Sequence, residues 1–359
     1  MLSHALLKVA FFAAAGRAEA KGLDPSLWDT IPTGRPGFVP MDLPQAPERL
    51  SEKVPALKKL SFTMDPAFIP THAYEKGAGK VGLVYTCRGG FVDVGHLRKS
   101  MDWTAYIHAQ LIRALREGKS SFEFQGKEPS VFRVELDPPL AWKVLTPDQR
   151  EEAAASFAPQ TAAFLAYGML SWHEVITWYG WSVTYVITER TSAFSYEDNF
   201  SNLMGAQVAA RAIANPTLPY NEAANEQLAK DFAELVPQSE AVAHKAFARV
   251  KGNWWVGNRP LMAKSILKRE VNLGFETPIV PWRVSGLEEC EGSDAATLSP
   301  DLPASWIRLT IDPRTPQLKK LYGKGKIPAR LNWPEDVLTT IEPIRQSILK
   351  DIGPAAFDR

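Results

Sequence analysis

Helical periodicity dominates the pattern of apolar and polar positions along the chain. Apolar residues recur at helical spacing over residues 94–117, and Gly118 follows as a natural stop. Residues 159–179 are apolar nearly all round, which predicts a helix at the centre of the protein. A third helix is predicted to begin near Ser195. Further helices are predicted over 221–235, 238–250 and, with a kink or break at Pro343, 333–353.

Shorter runs of the sequence predict strands. Residues 80–86 indicate a buried strand, while residues 130–139 and 305–314 alternate and both contain Asp-Pro at their ends, which predicts two comparable edge strands. The Pro-rich residues 21–75 predict an arm that wraps around the rest of the protein. The chain is therefore expected to be a helix-rich α+β protein, with one main domain at 76–359 and this N-terminal arm.

The N-terminus has the pattern of a secretory signal peptide. An apolar core, VAFFAAAG, follows Lys8, and AEA at 18–20 fits a cleavage site, so residues 1–20 are predicted to be removed on export. No later apolar run reaches the ~18 residues that a membrane-spanning helix needs. The net charge of +1 over 359 residues provides no field that would attract nucleic acid. We expect a periplasmic or otherwise exported protein without a transmembrane segment and without a nucleic-acid partner.

Two adjacent polar residues interrupt the most apolar predicted helix. His173 and Glu174 lie in the segment LSWHEVITWYGW, and burying an imidazole and a carboxylate is costly unless each has a partner. One interpretation is a core network in which each group bonds to a neighbouring helix. The other is a functional site, because buried titratable pairs concentrate at such sites. Both interpretations stay open on the sequence alone.

A second group of acidic residues opens the next predicted helix. Ser195 and Asp198 have the spacing of a capping box, and Glu197 lies between them. The order of His173, Glu174 and Glu197 is similar to that of gluzincin-type zinc peptidases, in which H-E-x-x-H on one helix is followed by a Glu ligand on the next. That similarity implies a divalent metal, with zinc favoured, bound by His173 and Glu197, and Glu174 as the general base.

The second histidine of the H-E-x-x-H motif is missing, because position 177 is Thr177. A catalytic zinc usually has three protein ligands, so another residue must complete the set. His96 is the candidate, and Asp198 is the alternative. We therefore expect the helices that carry His96, His173 and Glu197 or Asp198 to pack together.

Cys87 supports a rival catalytic interpretation. It follows the strand at 80–86 and precedes Arg88, two glycines and a helix, and a cysteine near a helix start can be a nucleophile when a His base is available. The structural alternatives are a buried thiol or a disulfide to Cys290, since two cysteines permit one disulfide.

A third interpretation is non-catalytic. Three tryptophans, Trp254, Trp255 and Trp282, could form a platform for glycan or for a partner protein, together with the cluster of Trp172, Trp178 and Trp181. Core packing is the ordinary use of tryptophan. In the catalytic interpretations, Arg88, Asn202 and Trp178 are the predicted substrate contacts.

Three blocks of the sequence together resemble a bacterial cell-envelope family called domain of unknown function 4056. They are VYTCRGGFVDVGHLRKSMDWTAYI, WHEVITWYGW and ERTSAFSYEDNFSNLMGA. The resemblance implies bacterial export and indicates that the three blocks form one functional unit. It implies no particular reaction. The leading hypothesis is an exported metal-dependent hydrolase that acts on a cell-envelope component. The alternatives are a cysteine hydrolase and an envelope glycan- or protein-binding module.

Overall fold

The computed structural model describes residues 25–31, 35–36, 66–74, 82–126, 128–181, 190, 192–256, 266–323 and 325–359. The helices are α1 (Val94–Arg116), α2 (Leu140–Lys143), α3 (Pro147–Ala155), α4 (Ala158–Trp178), α5 (Asp198–Ile213), α6 (Tyr220–Glu234), α7 (Glu240–Arg249), α8 (Lys319–Tyr322), α9 (Glu335–Leu338) and α10 (Ile341–Asp351). The strands are β1 (Leu83–Thr86), β2 (Gly90–Asp93), β3 (Ser121–Phe124), β4 (Val131–Leu136), β5 (Ile307–Asp312) and β6 (Leu331–Trp333).

Helices α1, α4 and α5 pack against one another and form the centre of the fold. The predictions of a helix over 94–117 and of a central helix over 159–179 are confirmed to within about one residue at each end. The third helix begins at Asp198 rather than near Ser195. The helix-rich α+β prediction is also confirmed, since the fold combines many helices with two small sheets.

A glycine permits the closest contact between two of these helices. A Cβ atom on Gly205 of α5 would lie 2.2 Å from the backbone carbonyl oxygen of Leu97 on α1, so no side chain fits there. The two backbones therefore meet at the start of α1, next to His96. This approach positions His96 beside the first turn of α5.

The larger sheet has four antiparallel strands in the order β3-β4-β5-β6. Val131 pairs with Asp312 and Leu136 with Ile307, so β4 and β5 are the two inner strands. The prediction that these segments are edge strands is therefore wrong, because each also pairs with a short strand that the sequence pattern did not reveal. Helix α4 packs on this sheet, and a Cβ atom on Gly168 would lie 2.9 Å from the Leu309 side chain.

The smaller sheet is the β1–β2 hairpin, which leads directly into α1. Beside it lies a second core of buried aromatic rings: Tyr85, Phe91, Tyr196, Phe247, Trp254, Trp255 and Trp282. The three tryptophans that could have formed a surface platform are at most 5% exposed. This corrects the platform hypothesis, because side chains inside a core are not available to a glycan.

Two local predictions at helix ends can be compared with the structure. Thr146 and Gln149 form the predicted reciprocal capping box at the start of α3. The C-terminal segment is split, as one of the two outcomes predicted for it: α9 ends at Leu338, α10 begins at Ile341, and Pro343 lies in the first turn of α10.

Most of the N-terminal region lies outside the described residues, including the predicted signal peptide at 1–20. The described parts of the predicted arm contribute buried side chains to the main core: Trp28, Ile31, Ile69 and Tyr74. Within the described ranges, no helix combines the length and the apolar character that crossing a membrane requires.

Candidate functional site

Asp93 joins the end of β2 to the start of α1. Its Oδ1 accepts hydrogen bonds from the backbone N–H groups of Gly95, at 2.7 Å, and His96, at 3.1 Å, so it caps the helix. Its Oδ2 lies 3.2 Å from Nδ1 of His96. Its own N–H donates to Oγ of Ser201 on α5, at 2.9 Å. These bonds hold the His96 ring between the end of the hairpin and α5.

The turn before α5 brings further polar groups to the same place. Asp198 Oδ1 lies 3.7 Å from Nδ1 of His96, while Asp198 Oδ2 accepts a hydrogen bond from the Ser195 N–H at 2.7 Å. The hydroxyl of Ser195 donates to Oε1 of Glu197 at 2.9 Å. We call Asp93, His96, Glu197 and Asp198 the acid–base cluster.

The acid–base cluster is rich in carboxylates, and all its members except the partly exposed Asp93 are buried. Burial, together with the neighbouring charge of Asp93, raises the pKa of Glu197 to about 7, against the opposing effects of the Ser195 hydrogen bond and of His96. Glu197 and Asp198 are each 1% exposed. A carboxyl group that titrates near neutral pH can both accept and release a proton under physiological conditions.

Arg269 is a buried cation close to this charge. Its guanidinium donates to the carbonyl oxygen of Ala193 at 2.6 Å, which ties it to the loop before α5. Burial lowers the pKa of Arg269 to about 10, against the opposing effects of Asp198 and Glu197, so the group stays charged at neutral pH. Arg269 therefore compensates part of the charge of the cluster and supports its loop.

Glu174 supports the same loop from α4. Its Oε2 accepts a hydrogen bond from the backbone N–H of Phe194 at 2.8 Å. Phe194 is fully buried and has a φ of 57°, in the left-handed region that non-glycine residues seldom adopt. The backbone N–H of Glu270 binds the Phe194 carbonyl oxygen at 2.9 Å. The structure thus uses Glu174 to hold a strained backbone immediately before Ser195.

His173, the neighbour of Glu174 in sequence, lies in a different environment. Its Nδ1 is 2.5 Å from Oε1 of Glu128, and its ring packs edge-on against Trp181. Burial would raise the pKa of Glu128, but the hydrogen bond and charge of His173 outweigh burial, and the pKa lies below its ordinary value. The pair lines a cavity of about 300 Å³. The other described lining residues are Arg35, Pro36, Lys99, Trp103, Gly126, Met169, Leu170 and Trp181.

The predicted site residues therefore divide between two places. His96, Glu197 and Asp198 lie together, as expected. His173 does not join them as the hypothesis required, since it pairs with Glu128. Adjacent residues of a helix are separated by about 100° around its axis, so His173 and Glu174 point to different neighbours.

The donor set of the cluster, one imidazole and three carboxylates, suits a divalent ion by its chemistry. In the part of the chain that the structure describes, however, no three His, Cys, Asp or Glu side chains are grouped closely enough to hold a metal. This placement does not test metal binding, and we derive no reaction step through a metal.

Cys87 is not available as a nucleophile. It forms a disulfide with Cys290, and the Cα atoms of the two residues are 4.9 Å apart. This corrects the cysteine hypothesis, because catalysis requires a thiolate and a disulfide sulfur has none.

The predicted substrate contacts have structural partners. The guanidinium of Arg88 donates to the carbonyl oxygen of Glu234 at 2.9 Å. Trp178 is buried, with the guanidinium of Arg190 over its ring at 4.4 Å. Asn202 lies one turn after Asp198 on α5 and is buried, and its backbone carbonyl accepts from Ser100 Oγ at 2.6 Å. Asn202 is thus the predicted contact that shares a helix face with the cluster.

Sequence reasoning missed Asp93, Ser195, Arg269 and Glu128 as site residues. Asp93 carried a readable signal, because it precedes the first residue of a strongly periodic helix, where a capping Asp is favoured. Ser195 was assigned only a capping role. Arg269 and Glu128 lie in segments without periodicity, so only the folded chain shows what they contact.

The family model described as "Protein of unknown function (DUF4056)" matches residues 59–281. No curated protein and no solved structure matches the chain. The matched range includes every member of the acid–base cluster, together with Ser195, Glu174, Arg269 and the His173–Glu128 pair. The chain belongs to the DUF4056 family.

Proposed function

We propose that the protein is a hydrolase whose catalytic centre is the acid–base cluster, and that it acts on a component of the bacterial cell envelope after export. One observation carries the proposal. Ionisable side chains from the end of β2, the start of α1 and the start of α5 converge in the interior, with His96 within 3.7 Å of two carboxylates. Such a concentration of charge is unfavourable for folding alone, and groups of this kind cluster at functional sites.

The cluster contains the two partners that general acid–base hydrolysis needs. Glu197 in its ionised form accepts the proton of the attacking hydroxyl group. His96, whose Nδ1 lies 3.2 Å from Asp93 Oδ2 and 3.7 Å from Asp198 Oδ1, donates a proton to the leaving group. Two titratable groups with different environments can thus perform opposite roles at one pH.

Export and the envelope substrate rest on separate support. The signal-peptide pattern at 1–20 and the resemblance of the three sequence blocks both favour export. The Cys87–Cys290 disulfide suits an oxidising compartment such as the periplasm. Mass spectrometry of the protein from its native host tests this part, and an intact N-terminus in the cytoplasmic fraction would contradict it.

Dependence on a divalent metal, with zinc favoured, stays a prediction. Elemental analysis of protein purified without a His tag tests it directly. Stoichiometric zinc that is lost in His96→Asn would support a metal-dependent hydrolase. An unchanged rate of hydrolysis after dialysis against a chelator would contradict metal dependence and leave the side chains described above as the catalytic groups.

The hydrolase proposal is tested by the release of soluble fragments from envelope extracts. We expect His96→Asn and Glu197→Gln to lower the rate by about 100-fold or more, since each removes a proton-transfer group. His244→Asn is the matched control, because the His244 side chain is 54% exposed on α7. Glu226→Gln, on the exposed face of α6, is the control for Glu197. Unchanged rates in both cluster variants, or no release by the wild type from any fraction, would contradict the proposal.

A further inference from the structure

We infer that Ser195 is the covalent nucleophile of this site and that the substrates are acyl esters or amides. The inference rests on the proposed hydrolase function and names the group that attacks. The Ser195 hydroxyl donates its hydrogen bond to Glu197 Oε1 at 2.9 Å. A serine hydroxyl directed at a buried carboxylate is already in position to lose its proton to that carboxylate.

A capping role does not account for this hydroxyl. In a helix cap, the serine oxygen accepts a hydrogen bond from a backbone N–H two or three residues later. Here the residue at the N-cap of α5 is Glu197, and the Ser195 oxygen is the donor to the Glu197 side chain. The backbone N–H of Ser195 is bound separately by Asp198 Oδ2. Capping therefore does not explain the hydrogen bond from the Ser195 hydroxyl to the Glu197 carboxylate.

The backbone before Ser195 provides a second, independent observation. Phe194 has a φ of 57°, a backbone conformation that is strained for a residue with a bulky side chain. Glu174 binds its N–H, and Arg269 binds the carbonyl oxygen of the preceding residue, Ala193. Two buried ionisable side chains thus maintain one strained turn. Strain that is supported in this way is typical of turns that present a reactive group.

The surrounding groups suit the steps of acyl transfer. As Ser195 Oγ attacks the carbonyl carbon, the new O–C bond forms, the π electron pair of the carbonyl group moves to its oxygen until the leaving group departs, and the hydroxyl proton moves to Glu197. The bond from the carbonyl carbon to the leaving oxygen or nitrogen then breaks, and His96 gives this atom a proton. Water next attacks the carbonyl carbon of the acyl-serine ester and gives a proton to His96, which is then neutral. The bond from this carbon to Ser195 Oγ breaks, Oγ takes back the proton held by Glu197, and the carboxylic acid leaves. The protons gained and lost by Glu197 and His96 balance over the cycle.

Labelling with diisopropyl fluorophosphate tests the inference on the full-length wild-type protein. Ser195 Oγ would form a bond to phosphorus while the P–F bond breaks and fluoride leaves. We expect one adduct per chain, located on Ser195 by peptide mass spectrometry. A small reagent is chosen because Ser195 is only 2% exposed.

Three variants define the result. Ser195→Ala should give no adduct, and Glu197→Gln should react roughly 100-fold more slowly without any fall in its melting temperature, because the base is lost and the fold is not weakened. Ser156→Ala, at an exposed position after α3, should react like the wild type. An adduct at another residue, or no adduct on the wild type, would overturn the inference.

The inference and the proposed function can fail separately. Hydrolysis of envelope extracts by a protein that forms no adduct would identify water as the nucleophile, which overturns the inference and leaves the hydrolase. An adduct on Ser195 without hydrolysis of any envelope fraction would support the nucleophile and overturn the envelope substrate.

Discussion

Two buried histidines in this protein have opposite electrostatic surroundings. His173 pairs with the carboxylate of Glu128, and this pairing lowers the pKa of that carboxylate. His96 lies within 3.7 Å of two carboxylates, and a third nearby carboxylate, Glu197, has its pKa raised to about 7. The first arrangement is matched in charge, whereas the second keeps a carboxyl group close to its protonation equilibrium at neutral pH.

The difference distinguishes a buried ion pair that can serve the fold from a cluster of charges that opposes folding. A buried charge with one good partner can serve packing alone, although even such a pair seldom adds much stability. Several carboxylates concentrated around one imidazole oppose ionisation and therefore oppose folding. We assign the catalytic centre to the region where the protein tolerates this cost, and the following variants test that assignment.

The largest effect is expected at the contact that positions His96 beside α5. Gly205→Ala places a methyl group 2.2 Å from the Leu97 carbonyl oxygen, and a backbone atom cannot rotate away. We expect a loss of about 3 kcal/mol or more in the free energy of unfolding, with loss of hydrolysis. Denaturant titration measures the stability.

Gly168→Ala is the matched control for Gly205→Ala, because Gly168 also lies within a helix. Its new methyl group would meet the side chains of Leu309 and Trp333 at 2.9 Å, and side chains can move. We expect a smaller loss, about 1 kcal/mol, with hydrolysis retained. Equal losses in the two variants would show that the α1–α5 contact has no special role.

Glu197→Gln is expected to make the protein more stable at alkaline pH. The Glu197 carboxyl group has a pKa of about 7 in the folded state and 4.5 as its ordinary value, so between these pH values the folded state holds a proton that the unfolded state has lost. Stability of the wild type therefore falls as pH rises from 4.5 to 7. The total decrease in the free energy of unfolding is on the order of 3 kcal/mol, at about 1.36 kcal/mol for each pH unit between the two pKa values.

The side-chain amide introduced by Glu197→Gln does not titrate, so this variant should lack the decrease and be more stable than the wild type at about pH 8. Melting temperatures on the acid and the alkaline side of the Glu197 pKa measure the difference. The same decrease in the variant and the wild type would assign it to another group. Lower stability of the variant on the alkaline side would contradict the charge balance described for the cluster.

Glu128→Gln tests whether the His173–Glu128 pair is independent of the catalytic site. The amide oxygen can still accept from His173, so we expect a loss of about 1–2 kcal/mol as a charged hydrogen bond becomes a neutral one. Hydrolysis should stay near the wild-type rate. A well-folded Glu128→Gln protein with a rate about 100-fold lower would move the catalytic centre to the His173 cavity.

The smallest effect is expected for Glu174→Gln. The glutamine oxygen can replace the carboxylate as acceptor for the Phe194 N–H, so stability should change by less than about 1 kcal/mol. If Glu174 were the general base, as the sequence motif suggested, this variant would retain its fold and lose turnover. A rate within about tenfold of the wild type would instead confirm a supporting role.

The sequence predicted the central helices well because their apolar periodicity is local. The sequence also predicted that His96, Asp198 and Glu197 lie close together, since each lies near the start of a helix that is apolar elsewhere. The pairing of His173 was missed because Glu128 is 45 residues earlier, in a turn whose position depends on the β3–β4 pairing. The H-E pattern suggested one site, but neighbours on a helix face different directions.

The proposed catalytic centre is tested most sharply by titration of the Glu197 carboxyl group itself. Protein labelled with ¹³C at glutamate carboxyls would be followed by NMR across neutral pH, and the Glu197 resonance assigned by its absence in Glu197→Gln. We predict a midpoint near pH 7, because burial and the charge of Asp93 resist ionisation. A Glu197 carboxyl that is already almost fully ionised at about pH 6, as an ordinary glutamate is, would contradict this assignment.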